Sequence, residues 1–238
     1  MNIIETKFYN DAIEITEMRI KKNKSTLIYG ETGSGKTTLL SRVSYRKLGK
    51  RRVVWRSLYN VVQSVAEILD QLQPEVNYSY SPMKLSRNIS DLCSYDNIVI
   101  TLDEGQHLNE KVWPYIKQIM DAGIPFILAG TDKMHQNLLK KHPDVLSRTK
   151  AIGTVKISED DVYSKYADLF DPEAMSLLYG MCDVNARYLF EYLKDIVDYS
   201  RTDPKFEGTM SFEYVSEALD EIDKGICKVP KKPDNKEA

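Results

Sequence analysis

The run Gly30-Glu31-Thr32-Gly33-Ser34-Gly35-Lys36-Thr37 fits the pattern GxxxxGK[ST]. Its chemistry is that of holding phosphate. Glycines at these spacings let the backbone curl until successive N–H groups point into one cavity, and the helix that follows adds its amino terminus. Lys36 has the reach to set a positive charge against the β- and γ-phosphates of a nucleoside triphosphate, and the Thr37 hydroxyl is a hard oxygen ligand for Mg2+. We take Gly30, Glu31, Thr32, Gly33, Ser34, Gly35, Lys36, Thr37 and Thr38 as the nucleotide-binding stretch, with ATP and Mg2+ as cofactors. A glycine-rich turn with an exposed lysine is the bland alternative. The apolar run TLIY before the loop and the helical pattern after it argue against that.

Such a site needs a carboxylate at the end of a neighbouring strand. Asn97-Ile98-Val99-Ile100-Thr101-Leu102-Asp103-Glu104 supplies one. Asp103 is placed to hold Mg2+ through water, and Glu104 to orient or deprotonate an attacking water. This pair favours hydrolysis over transfer to an acceptor, which needs no water-activating glutamate. His107 reads equally as a reporter of nucleotide state and as a polar turn residue. Guanine recognition is not expected, because Asn23-Lys24-Ser25-Thr26 lies before the loop and lacks the aspartate of an NKxD motif.

The elements that must position these groups alternate. Thr26–Tyr29, Val53–Ser57, Ile98–Leu102 and Pro125–Ala129 are apolar strand candidates, and Ile152–Ile157 alternates in polarity. Continuously apolar strands have both faces covered, as in a parallel sheet between helices. Val61, Val62, Val65, Ile68, Leu69 and Leu72 fall at helical spacing. Pro82–Tyr95 and Asn109–Met120 read as further helices, the latter closed by Gly123. The fold class is therefore α/β, a P-loop nucleotide-binding fold over residues 1–158. After Ser158 the strand signals stop. Ser158 with three following acids starts a helix, Asp171-Pro172 starts another that Gly180 closes, and Asn185–Tyr199 and Ser211–Ile222 are amphipathic. Residues 159–225 thus read as a small all-α subdomain, and residues 226–238, polar and broken by prolines, as a disordered tail.

Composition narrows the setting. Thirty-three basic against 35 acidic residues give a net charge of −2, so any attraction to a polyanion must be local. Three scattered cysteines form no disulfide framework or zinc motif, and three dispersed histidines form no metal cage. The first residues lack a leader pattern, and no apolar run reaches the roughly 20 residues of a membrane span. A reduced, cytoplasmic protein without a membrane partner is expected. Charge is segregated, however. From Thr32 to Ala66 there is no acidic residue, while Arg46, Lys47, Lys50, Arg51 and Arg52 cluster where the post-loop helix should end. Such a patch can bind duplex phosphates without reading bases. A solvated helix end favoured by its dipole is the competing explanation.

The order GETGSGKT, IVITLDEGQHL, GIPFILAGTDKM, LSRTKAIGTVKIS, DVNARYLFEYL resembles that of AAA+ ATPases over about residues 5–225. It is most similar to the branch holding the phage Mu-type transposition activator B, the transposon target-selection ATPases and the ExeA-type secretion ATPases. The resemblance implies a parallel five-stranded sheet of order 5-1-4-3-2 followed by a helical lid. It implies that Thr131 is the first sensor, against a plain helix cap, and that the segment Phe8–Ile13 lies over the adenine. It implies that Arg148 is an arginine finger lent to the next subunit and that Arg187 is a second sensor in the lid. The function expected is that of an ATPase that oligomerises on double-stranded DNA, as a ring or filament, and serves transposition or phage DNA handling with a transposase or other DNA-processing partner. An ATP-switched assembly factor of the secretion type, or a helicase loader, is the alternative.

Overall fold

The structure, a computed structural model, describes residues 6–45, 52–58, 98–154, 157–182, 185–204, 206 and 208–222. It divides into two compact units: Lys7–Val155, and Lys156–Ala238 with Met1–Thr6.

In the first unit five parallel strands form one sheet: β1 (Ser25–Tyr29), β2 (Arg52–Ser57), β3 (Ile98–Asp103), β4 (Phe126–Gly130) and β5 (Thr149–Gly153). Their spatial order is β2-β3-β4-β1-β5, the order the resemblance implies. β3 and β4 are buried along their whole length, as continuous apolar runs in a covered sheet should be. Register sorts the two faces. Leu27 pairs with Leu128, and Leu128 with Leu102. That row packs with Trp113, Ile116 and Ile119 of α3 (Trp113–Asp121) and Met134 and Leu138 of α4 (Asp132–Lys141). Residues of opposite parity, Ile28, Ile127 and Val99, are left for the face met by α1 (Lys7–Lys21) and α2 (Lys36–Tyr45). A short helix α5 (Pro143–Leu146) leads into β5.

β5 differs from the sequence expectation. It runs over Thr149–Gly153, not Ile152–Ile157. It is an edge strand bonded to β1 alone, and only Ile152 within it is fully buried, so polar Thr149 and Lys150 carry no apolar signal. The helix expected from Asn109 begins as a 3-10 turn, Glu110–Val112, in which the Asn109 side chain accepts the Lys111 N–H at 3.0 Å. It becomes α-helical at Trp113 and ends before Gly123, whose φ of 89° demands glycine. The helices expected over Val61–Leu72 and Pro82–Tyr95 lie outside the described residues, as do Arg46, Lys47, Lys50, Arg51 and the tail 226–238. Arg52 opens β2.

The second unit is helical: α6 (Glu159–Tyr166), α7 (Pro172–Met181), α8 (Ala186–Thr202) and α9 (Phe212–Ile222). Ser158 and Asp161 form a reciprocal capping box, and the Asp171 carboxylate accepts the Ala174 N–H at 2.7 Å. Gly180 lies inside α7 rather than ending it; the helix runs on to Met181, and Cys182 caps it. Val162, Phe170, Leu178, Leu193, Ile196, Val215 and Leu219 form a separate core. No helix among the described residues is long and apolar enough to cross a membrane.

Candidate functional site

In a parallel sheet all strands deliver their carboxyl ends to one edge. There β1 hands the chain to Gly30, β3 ends on Asp103, β4 on Gly130, and β5 is followed by Thr154. The loop from Gly30 to Gly35 is pinned at that edge. The Gly30 N–H donates to the Gly130 carbonyl at 3.2 Å, and the Ser34 N–H to the Glu31 carbonyl at 3.3 Å. Gly33 and Gly35 hold φ of 82° and 80°, the left-handed region that glycine enters freely. Gly30 is required for a different reason. A Cβ there would stand 1.8 Å from Thr154 Oγ1, whose hydroxyl bonds Ser34 Oγ at 2.7 Å and the Tyr29 carbonyl at 3.2 Å.

Lys36 is 8% exposed and folds back into the loop. Its Nζ donates to the carbonyls of Gly30 at 3.0 Å and Glu31 at 2.6 Å, with Ser34 Oγ at 3.5 Å. Burial pulls its ammonium below the ordinary range, opposed by the nearby carboxylates of Glu104, Asp103 and Asp132.

Thr37, one residue into α2, donates its hydroxyl to Asp103 Oδ2 at 2.7 Å. The Glu104 N–H donates to the other oxygen, Oδ1, at 2.9 Å. Asp103 is 2% exposed. Burial pushes its carboxyl above the usual range, while the Thr37 and Glu104 hydrogen bonds and Lys36 pull it back. Two hard oxygens in contact, one of them a buried carboxylate that a cation would relieve, suit the oxygen preference of Mg2+. Thr37 would bind it directly and Asp103 through water. Among the described residues no cluster of three or more His, Cys, Asp or Glu forms a cage for a metal.

Glu104 takes φ 57°, ψ 40°, and the Gln106 amide donates to its Oε2. His107 closes the 3-10 turn Gly105–His107 by donating its N–H to the Glu104 carbonyl at 3.0 Å. Thr131 is the N-cap of α4; its Oγ1 accepts the Met134 N–H at 3.4 Å, which leaves the hydroxyl hydrogen free to donate elsewhere.

Lys36, Thr37, Asp103, Glu104 and Thr131 are thus carried by one edge of one sheet. Arg148 is not. It precedes β5, at the amino edge, about 15 Å away by the rise of a five-residue strand. There its guanidinium forks onto Asp121, with Nη2–Oδ2 at 3.1 Å and Nε on Oδ1, and Nη1 also bonds the Asp144 carbonyl. The Asp121 partnership holds Arg148 above its ordinary pKa. Arg187 is exposed in the first turn of α8, in the helical unit. Phe8–Ile13 lies in α1, where the Tyr9 hydroxyl donates to the Thr38 carbonyl at 3.3 Å. Gln106 and Thr154 escape sequence reasoning. The one signal for Gln106 is its place two residues after Glu104; Thr154 has none, since it meets the loop only through the β1–β5 pairing.

Comparisons with known proteins agree with this fold. The chain superposes on the Aeropyrum pernix ORC1 protein, solved in complex with DNA, with TM-score 0.63 and 16% identity over 90% of this chain and 65% of that one. The ADP form of the Aeropyrum pernix ORC2 protein gives TM-score 0.65 and 15% identity over 92% and 69%. Domain III of the Thermotoga maritima replication initiation protein DnaA gives 0.58 and 16% over 93% of both chains. At these identities the likeness is one of fold, and the chain spans about two thirds of the ORC proteins' length. A family model described as AAA domain matches residues 19–138, just over half of the sequence, from the end of α1 into α4. The chain belongs to the AAA domain family.

Proposed function

We propose that this protein is an ATPase that binds ATP with Mg2+, oligomerises, and acts on double-stranded DNA. One observation carries the reading: the Thr37 hydroxyl and the Asp103 carboxylate are paired at 2.7 Å across the loop and β3, with Glu104 next in the chain and Lys36 in the loop. Thr37, and Asp103 through water, would hold Mg2+, which would supply positive charge against the charge that develops on the phosphates. The loop N–H groups receive the phosphates. Lys36 exchanges its carbonyl partners for phosphate oxygens, and Glu104 takes a proton from the attacking water.

The remaining roles belong to the same proposal. Residues 1–158 are the nucleotide-binding core and residues 159–225 the lid. Thr131 uses its free hydroxyl hydrogen toward the γ-phosphate or the water, and Arg187, in the helical unit, is the second sensor. Arg148, a strand length from its own loop, serves the next subunit in a ring or filament. Arg46, Lys47, Lys50, Arg51 and Arg52 hold duplex phosphates without sequence preference. The process we propose is transposition or phage DNA handling, with a transposase or similar partner, in the cytoplasm. The likeness to a protein solved on DNA supports the choice of DNA.

The test is ATP turnover and duplex binding on the same samples. Lys36→Ala should abolish ATP binding. Glu104→Gln should bind ATP, lose about 10²–10⁴ in turnover, and hold duplex DNA persistently in a salt-sensitive way. Wild-type turnover by Glu104→Gln overturns the base. Absence of duplex binding at any salt overturns the DNA role and leaves an ATP-switched assembly factor.

A further inference from the structure

We infer that Gln106 is a positioning residue: its carboxamide fixes one carboxylate oxygen of Glu104 so that the other is presented to the attacking water. This deepens the ATPase reading and rests on Glu104 as the base.

The backbone prepares the contact. Glu104 occupies the left-handed region, φ 57° and ψ 40°, which a side-chain-bearing residue enters at a cost. Its N–H is bonded to Asp103 and its carbonyl to the His107 N–H, so the peptide units on both sides are fixed. The tight turn that results carries Gln106 back beside Glu104, where Nε2 donates to Oε2. A carboxylate has only acceptors, so the amide nitrogen must be the end that faces it, and the orientation of the carboxamide follows from chemistry. Among the described residues Glu104 Oε1 shows no hydrogen bond, so the second oxygen is left available.

The far end of the same carboxamide shows what this contact costs. Among the described residues Gln106 Oε1 is buried with no hydrogen-bond partner. It is pressed toward the end of β4, where a Cβ on Gly130 would stand 3.1 Å from it. The turn has no room to withdraw. A Cβ on Gly105 would meet Met134 Sδ at 2.7 Å and the Ala129 carbonyl at 3.1 Å, and one on Gly130 would meet Met134 Sδ at 2.5 Å. A glutamine that only filled space would turn its carbonyl to water. This one forgoes a partner at one end and keeps the charge-assisted bond at the other. Backbone strain and an orphaned carbonyl, side by side, are costs that proteins keep at functional sites. What they secure here is geometry. A glutamate side chain free to rotate offers its carboxylate to water only part of the time, and a misplacement of about 1 Å can cost about 10²-fold in rate.

The test uses the full chain with Gln106→Met, which keeps the length and bulk of the side chain but cannot donate. ATP turnover is measured at saturating nucleotide, and ATP affinity with a fluorescent analogue. We expect kcat to fall about 10- to 100-fold while KM and the dissociation constant stay within about twofold. Gln106→Asn, which keeps the amide but loses its reach, should behave alike. In the Glu104→Gln background, adding Gln106→Met should slow turnover no further, because Gln106 acts only through that carboxylate. If Gln106→Met turns over at the wild-type rate while Glu104→Gln is inactive, the proposal fails and the ATPase reading stands. Affinity falling as far as kcat, or additive losses in the double variant, also overturns it. Wild-type turnover by Glu104→Gln sinks the assignment of Glu104 as base and the Gln106 proposal with it, and leaves ATP hydrolysis itself standing.

Discussion

The two ends of the same sheet are built on opposite terms. At the carboxyl end Lys36 and Asp103 are buried, and the groups around them bond one another: Lys36 on loop carbonyls, Thr37 on Asp103, Asp103 on the Glu104 N–H, Thr154 on Ser34. At the amino end Arg148 and Asp121 pair in view of solvent, their side chains 31% and 47% exposed. A buried polar contact is expensive to break because its partners are left dry. An exposed ion pair is cheap to break because water takes its place. The first arrangement preforms a site. The second holds a cation in a pair that is cheap to open, as the proposed service of Arg148 to a neighbouring subunit would require.

The largest effect that could break this comparison is on Arg148. A cation supplied in trans contributes about 10³–10⁵ in rate in GTPases. Arg148→Ala should therefore leave ATP binding by the isolated subunit intact and depress turnover by about 10³ or more in the assembly. Mixing it with Lys36→Ala creates interfaces that carry one intact loop and one intact arginine, so part of the activity should return. If the two variants co-assemble and mixing restores nothing, Arg148 is a surface anchor for Asp121 and the two ends of the sheet do not cooperate between subunits.

The two ends also differed in how far the sequence revealed them. Gly30–Thr37 and Asp103-Glu104 were legible because their chemistry is local: a glycine turn, and an acid closing an apolar strand. The sheet order followed from the resemblance those motifs carry. β5 was displaced by three residues at its start because an edge strand with exposed Lys150 writes no apolar signal, whereas the run IGTVKI does. Gly180 reads as a stop because glycine commonly closes helices, but α7 runs one residue past it to Met181. Gln106, Thr154 and the Arg148–Asp121 pair were not legible. Each depends on a contact that pairing or a tight turn creates, across 120 residues for Thr154 and Ser34 and 27 for Arg148 and Asp121.

A smaller effect sharpens the contrast at the buried end. Thr37→Val keeps the shape of the side chain but removes the donor to Asp103 Oδ2. The carboxylate, 2% exposed, then loses one of its compensations. Without nucleotide, the variant should be less stable by about 1–3 kcal/mol in chemical denaturation. With the Mg2+ ligand gone as well, turnover should fall further than stability accounts for. A variant as stable as the parent would mean that the buried end is no more interlocked than the exposed one.

The smallest effect is the most discriminating. Asp121→Ala removes the carboxylate that holds Arg148 and leaves the arginine in place. The pair is exposed, so stability should change by no more than about 1 kcal/mol, and Arg148→Ala should cost a similar amount. Turnover should separate the two. If Arg148 works across the subunit boundary, releasing it from Asp121 leaves hydrolysis at the parental level or raises it, while deleting it abolishes hydrolysis. If Asp121 instead aims the guanidinium at the neighbour, Asp121→Ala falls with Arg148→Ala, and the exposed pair depends on its geometry no less than the buried one does. Turnover of both variants at matched extents of assembly, beside their melting curves, decides between a stored cation and an aimed one.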